Sequence, residues 1–104
     1  MTLYTVETGV EATFSASHND QVRKELHGHS YKVTAWFRYD EPRDAVVLQE
    51  RLKAVVKNLF DHKTLPPELS RGEDMARAII QLLDGCVGVD ISRPLEGIHV
   101  KVRV

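Results

Sequence analysis

The chain has 104 residues, of which 42% are hydrophobic and 28% charged, and its 14 Lys and Arg oppose 15 Asp and Glu. This size and composition fit one globular domain over residues 1–104 and exclude two domains. A formal net charge of -1, without a cluster of cations, argues against nucleic acid as a partner. The apolar runs fall far short of the roughly 20 residues that span a bilayer, so no membrane partner is expected.

Two features of the sequence predict a cytoplasmic location. Cys86 is the only cysteine, which excludes an internal disulfide and is typical of a reducing compartment. Residues 1–10 mix polar and apolar side chains, without the basic and apolar segments that make up a signal peptide.

Alternating apolar residues predict two strands in the first part of the chain. Residues 3–17 place apolar side chains at even positions, and His18 shares that parity. Residues 30–40 alternate more clearly, with apolar side chains at odd positions. The two strands predict a hairpin, and we expect its long polar loop, residues 19–26, to be mobile.

A change of period then predicts two helices. Apolar residues recur at intervals of three and four over residues 47–60, which is typical of an amphipathic helix. The double proline at residues 66–67 marks a fixed loop. Ser70 and Glu73 fit a capping box at the start of a second helix, which stops by Gly85.

The last predicted element is a strand. Residues 98–104 alternate strictly between apolar and polar side chains to the end of the chain. The predicted order is therefore ββααβ, an α+β fold in which two helices cover one face of an antiparallel sheet.

Three histidines lie within a stretch of twelve residues, at His18, His27 and His29. Residues two apart on a strand share a face with Cα atoms about 6 to 7 Å apart, from which two imidazoles can reach one ion. Pairing in the hairpin would bring His18 opposite the other two. Three nitrogen ligands with an open position are typical of catalytic zinc, although imidazole also suits iron, nickel and copper. The alternative is a packed His18 beside two histidines that face solvent.

Asp61 and His62 form a second candidate pair, at the end of the first predicted helix. A carboxylate that holds an imidazole fixes its tautomer and raises its basicity, which prepares a general acid or base near neutral pH. The alternative is simple capping, in which a protonated His62 meets the negative end of the helix dipole.

Three segments together resemble the 6-pyruvoyltetrahydropterin synthase family, which includes the bacterial 6-carboxytetrahydropterin synthases. The segments are Phe14-Ser-Ala-Ser-His18, His27-Gly-His-Ser-Tyr31 and Asp61-His62-x-x-Leu65. The resemblance implies the tunnelling fold (T-fold), a catalytic Zn²⁺ on the three histidines, and an Asp-His pair that moves protons on a dihydropterin side chain. It also implies a homo-oligomer, a trimer or hexamer with active sites between subunits.

The chain departs from the usual family pattern at three places. The family's catalytic cysteine is missing before His27, and Glu25 is the nearest candidate for a replacement base, its alternative being a solvated loop carboxylate. Before the second helix, the family's Thr and Ser hydroxyls are replaced in Ser70-Arg-Gly-Glu73, although Glu73 matches the family's glutamate there, which implies substrate binding. The family's Glu-Thr motif and its last strand are expected to be missing, since Val104 ends the chain where they would begin. An open sheet edge is then expected.

Two functional hypotheses follow from these residues and this resemblance. The first is a zinc-dependent lyase acting on 7,8-dihydroneopterin triphosphate or a related dihydropterin, in the synthesis of 7-deazaguanine (queuosine precursors) or reduced pterins. The alternative is a degenerate, inactive family member that binds metal or a pterin-like ligand as a binding or assembly protein. A purely structural metal site that ties the hairpin together is a third interpretation.

Overall fold

A computed structural model describes residues 6–19 and 26–104, without the side chains of residues 19, 26 and 27. Glu25 and most of the predicted hairpin loop lie outside this part of the chain. The main elements, in chain order, are β1 (Glu7–Asn19), β2 (Leu26–Arg38), α1 (Ala45–Leu59), α2 (Gly72–Leu82), β3 (Cys86–Arg93) and β4 (Ile98–Arg103). A short 3-10 turn, Pro67–Leu69, precedes α2.

The strands form one antiparallel sheet in the order β1-β2-β3-β4, and α1 packs on β1 while α2 packs on β3. The even positions of β1 from Val10 to His18 and the odd positions of β2 from Tyr31 to Phe37 face the helices and are buried, as the alternation predicts. The predicted α+β architecture, an antiparallel sheet with two helices on one face, is therefore confirmed.

The apolar side chains on one face of each helix complete the hydrophobic core. Leu52 of α1 and both Met75 and Ile79 of α2 are fully buried, as their helical spacing predicts. Asp44 caps α1, because its Oδ1 accepts a hydrogen bond of 2.9 Å from the amide of Val46. No helix in the described part of the chain has the length and apolar character needed to cross a membrane.

The predicted capping box of α2 is wrong. The Ser70 hydroxyl donates to the carbonyl of Pro67 at 3.0 Å, inside the 3-10 turn, so it is not turned toward α2. Arg71 occupies the cap position and makes no side-chain capping bond. Because the double proline begins a turn of its own, Ser70 completes that turn instead of starting the helix.

The prediction of a single final strand is also wrong, since β3 and β4 form an antiparallel hairpin and the order is ββααββ. β3 escaped detection because Gly88 and Asp90 interrupt its apolar run. A register shift opposite Trp36 and Phe37 adds a further irregularity, because it places Cys86 and Val89, three residues apart, on the same buried face. The strand that the sequence did not predict therefore precedes residues 98–104 and is the first member of the final hairpin.

Candidate active site

The hairpin of β1 and β2 gives the three predicted histidines related positions. His18 pairs with His27, and Ala16 pairs with His29, so residues 18, 27 and 29 have the strand parity of the helix-covered face. His18 is 8% exposed, and the His29 side chain is 10% exposed. The side chain of His27 lies outside the described part. Alternation along two paired strands is thus what collects these positions on one face.

His18 and His29 line the same hollow, of about 300 Å³, near the end of the sheet. Their ring centroids are 5.1 Å apart, and the ring planes cross at 72°. Two imidazoles bound to one tetrahedral zinc through nitrogens at about 2.0 to 2.1 Å have ring centres roughly 5 Å apart, so this pair fits such an ion. Among the described side chains, no three of His, Cys, Asp or Glu form a metal-binding group, and the third predicted ligand, His27, is not among them.

A row of aromatic contacts supports the His29 ring from the core. Phe60 stacks on Phe14 at a centroid distance of 5.2 Å, and Phe14 stacks on Tyr31 at 4.7 Å. The Tyr31 ring then meets His29 edge to face at 5.9 Å. Burial raises the pKa of the Tyr31 phenol above its ordinary value, with Arg93 opposing the shift and Glu96 adding to it. The phenol is therefore neutral beside the hollow.

Both ring nitrogens of His29 have polar neighbours from the β3–β4 hairpin. Arg93 Nη1 lies 2.8 Å from His29 Nε2, and Glu96 Oε1 lies 3.3 Å from Nδ1. The start of α2 closes the opposite wall of the hollow with Ser70, Arg71 and Gly72. The hollow thus combines imidazoles with two guanidinium groups, a lining suited to an anionic ligand or to a metal with an anionic ligand.

Asp61 and His62 lie beside the outer edge of β1, the edge that does not pair with β2. The amide of Ser15 donates to Asp61 Oδ1 at 3.1 Å, and the amide of His62 donates back to the Ser15 carbonyl at 2.7 Å. His62 Nε2 is 3.6 Å from Asp61 Oδ2. Residues 63–65 continue along β1, with two backbone hydrogen bonds to Ser17. The predicted pair is therefore in contact, with Asp61 anchored to the sheet.

Within one chain, His62 does not line the hollow that His18 and His29 share. It faces a second hollow, of about 490 Å³, whose walls include Ser15, Ser30 and Glu96. The His62 side chain is 83% exposed. His29 borders both hollows, so the two candidate centres are neighbours on the same end of the sheet.

The other predicted site residues are less directly placed. Glu73 does not line the histidine hollow, but its carboxylate lies 3.6 Å from Arg71, which does. Glu25 lies outside the described residues. Cys86 begins β3, is buried, and borders neither hollow.

Arg93, Glu96 and Arg71 are site residues that the sequence did not reveal. Arg93 and Glu96 are separated from His29 by 64 and 67 positions. Arg93 is the last residue of the strand that was not predicted, and Glu96 follows it. No local pattern marks them. The strand parity of residues 87–91 was the one available signal, since it would have predicted a hairpin that ends beside the first one.

Comparisons with known proteins agree with the fold and the motifs. The sequence matches the protein-family model "6-pyruvoyl tetrahydropterin synthase" over residues 5–96. The structure is similar to the solved structure of Caenorhabditis elegans 6-pyruvoyl tetrahydropterin synthase, with a TM-score of 0.76 and 17% sequence identity. The similarity covers 98% of this chain and 97% of that chain. No curated protein sequence matches significantly. The chain has the T-fold, and it belongs to the 6-pyruvoyl tetrahydropterin synthase family.

Proposed function

We propose that this protein is a zinc-dependent lyase of the 6-carboxytetrahydropterin synthase type. Its substrate would be 7,8-dihydroneopterin triphosphate or a related dihydropterin, in the synthesis of queuosine precursors or reduced pterins. The observation that carries the proposal is the pair of buried imidazoles, His18 and His29, facing one hollow at a separation that suits a shared metal ion. Membership of the family supports a tetrahydropterin synthase type of activity.

His18, His27 and His29 would hold the metal. Zinc, when bound, supplies Lewis-acid chemistry toward a hydroxyl or carbonyl oxygen of the substrate. The neutral Nδ1–H of His29 can donate to Glu96, which orients the ring, and Nε2 would then be the nitrogen that binds the metal. The two arginines of the hollow would bind the anionic part of the substrate.

Asp61 and His62 would provide the proton transfers. Asp61 is fixed by the Ser15 amide, and its second oxygen lies near His62 Nε2, so the carboxylate can hold the imidazole in one orientation. A role for Glu25 as the first base, in place of the family's cysteine, also belongs to the proposal. Glu73 would act on the substrate through Arg71 or directly.

A homo-oligomer, a trimer or hexamer, is part of the same proposal. Its support is the position of His62, which is exposed and lines a neighbouring hollow instead of the hollow of His18 within one chain. In an assembly with sites between subunits, the Asp61–His62 pair of one chain would serve the histidine hollow of another. We place this oligomer in the cytoplasm.

Product analysis by mass spectrometry tests the proposed reaction. Zinc-loaded protein is incubated with 7,8-dihydroneopterin triphosphate, with and without a chelator, beside the variants His18→Ala and His62→Ala. His99→Ala is the matched control, because it removes an imidazole from an exposed position on β4. The expected result is a new pterin whose formation needs zinc, His18 and His62 but not His99.

The mass of the product side chain separates carbon-carbon cleavage from elimination of triphosphate. Unchanged substrate, with zinc bound to the wild-type protein, would contradict the lyase. Full turnover by His62→Ala with metal still bound would contradict the assigned proton transfer while leaving the metal site in place.

A second candidate function is a metal-binding or pterin-binding protein without turnover. The observation that favours it is the contact between Arg93 and His29, which engages a nitrogen that a catalytic metal would use. Equilibrium binding of a reduced pterin, combined with the product analysis, separates the two functions. Binding without any new product supports this candidate, and turnover excludes it.

A further inference from the structure

His29 has a defined tautomer in the structure because of its two polar neighbours. A guanidinium can only donate hydrogen bonds, so the 2.8 Å contact from Arg93 Nη1 requires His29 Nε2 to be the acceptor. Nδ1 then carries the proton and faces the Glu96 carboxylate at 3.3 Å. The imidazole is therefore neutral, with the lone pair of Nε2 directed at Arg93.

The electron pair on Nε2 is also the one that a metal ion would take. A nitrogen with a single electron pair cannot accept from a guanidinium and bind a metal at the same time. Glu96 does not compete in this way, because a carboxylate on the Nδ1–H side is the usual outer partner of a metal-binding histidine. The two neighbours of His29 should thus have opposite effects on metal binding.

The surroundings of His29 favour movement of Arg93 over rotation of the ring. The His29 ring is held by Tyr31 at 5.9 Å and by His18 at 5.1 Å, and only 10% of its side chain is exposed. Arg93 lies at the wall of the hollow, which offers about 300 Å³ for its side chain to move into. A metal that enters would therefore displace the guanidinium and leave the ring in place.

We propose that Arg93 is a displaceable competitor for zinc at His29, whereas Glu96 is a positioning residue that strengthens zinc binding. The proposal rests on the metal site given under the proposed function. It assigns Arg93 a function in setting the metal affinity of this chain: metal binds only as the guanidinium leaves Nε2. Removal of Arg93 should tighten zinc binding, and removal of the Glu96 charge should weaken it.

Zinc affinities of purified variants test this proposal, measured by competition with a chromophoric chelator at neutral pH. Arg93→Met removes the guanidinium and keeps an unbranched, flexible stem. Arg71→Met is the matched control, because it removes a guanidinium that lines the same hollow and pairs with Glu73 and Asp74. We expect Arg93→Met to bind zinc about 10-fold more tightly than wild type and Glu96→Gln about 10-fold more weakly, the scale typical of outer partners of a metal ligand. Arg71→Met should stay close to wild type.

Each other outcome has a definite meaning. Equal zinc affinity of Arg93→Met and wild type overturns the competition and leaves the metal site intact. Equal tightening by Arg93→Met and Arg71→Met also overturns it, since the cause is then general charge repulsion. If neither wild type nor Arg93→Met binds zinc, both the competition and the proposed metal site are overturned.

A measurement on the wild-type protein needs no variant. Nitrogen-15 spectra of the histidine rings report which nitrogen carries the proton. Metal-free protein should show His29 protonated on Nδ1, and zinc should change the Nε2 signal while Nδ1 stays protonated. A metal-free His29 protonated on Nε2 would contradict the contact with Arg93 and overturn the proposal.

Discussion

Replacement of Asp61 tests how the proton-transfer pair is held against the sheet. The Asp61 carboxylate accepts from the Ser15 amide at 3.1 Å and is 30% exposed. A hydrogen bond to a charged group contributes about 1.5 to 3 kcal/mol, and partial exposure favours the lower end. We therefore expect Asp61→Ala to lower the free energy of unfolding by about 1.5 kcal/mol, or roughly 6 to 12 °C in melting temperature.

Asp61→Asn separates the hydrogen bond from the charge. Its amide oxygen can still accept from Ser15, so the expected loss is below about 1 kcal/mol. Turnover should fall in both variants, because neither retains a carboxylate beside His62. Glu68→Ala, which removes an exposed carboxylate from the same connection between the helices, is the control and should change neither quantity.

Urea unfolding followed by circular dichroism measures the stability of these variants, and zinc content is measured on the same samples. Wild-type stability in Asp61→Ala would refute the anchoring of this segment by Asp61. Equal losses in Asp61→Ala and Asp61→Asn would refute the assignment of the effect to the hydrogen bond. Wild-type turnover in Asp61→Asn would refute the catalytic contribution of the charge.

Three further predictions concern backbone geometry and pH. Gly85→Ala should destabilise the protein by more than about 2 kcal/mol, because φ is +78° and an added Cβ would lie 2.4 Å from Tyr39 Cε1. Gly97→Ala should lower the free energy of unfolding by less, measured by the same urea unfolding. Its φ is +68°, but no atom of the described residues lies within 4 Å of an added Cβ; equal losses in the two variants would contradict the steric argument. His62→Gly should raise stability by about 0.5 to 1 kcal/mol, because φ is 57° at His62, while turnover is lost; a stability below that of His62→Ala would contradict this. Burial raises the pKa of the Cys86 thiol, so its stabilising contribution is complete below the ordinary thiol pKa and is lost as the pH rises above it. Urea midpoints should therefore fall at alkaline pH less steeply in Cys86→Ala than in wild type, and identical slopes would contradict the assignment.

The parts of the fold that follow from local periodicity could be predicted from the sequence. β1, β2 and both helices were predicted, since each buries one regular face of side chains. The sheet alternation also predicted that His18 and His29 share a face. In each case one face of the element is buried, so apolar side chains recur every 2 residues in a strand or every 3.6 residues in a helix, and the sequence shows that period.

The errors arise where contacts between distant segments decide the structure. Gly88 weakens the apolar pattern of β3, and the register shift against its partner strand is not visible in the residues of β3 itself. Ser70 bonds to Pro67 because the double proline imposes a turn, which overrides the capping pattern. Arg93 reaches His29 only because two hairpins end side by side. Local sequence patterns do not show which side chains of two different hairpins contact each other.

The separation of His62 from the hollow of His18 depends on tertiary structure in the same way. The sequence identified Asp61 and His62 as a pair, and the contact of 3.6 Å between them agrees with that prediction. Their placement on a neighbouring hollow follows from pairing of residues 61–65 with the edge of β1. Within a single chain, the hollow of His18 and His29 and the Asp61–His62 pair are therefore two separate parts of the proposed active site.

The central claim is that a metal ion held by the three histidines is required for chemistry on a dihydropterin. The most direct measurement is the rate of product formation from 7,8-dihydroneopterin triphosphate as zinc is returned to metal-stripped protein. We predict no product without zinc and a rate that rises until about one equivalent is bound per chain, as expected for a single catalytic site. A stripped protein that turns over at the full rate, or a zinc-loaded protein that forms no product, would contradict the claim.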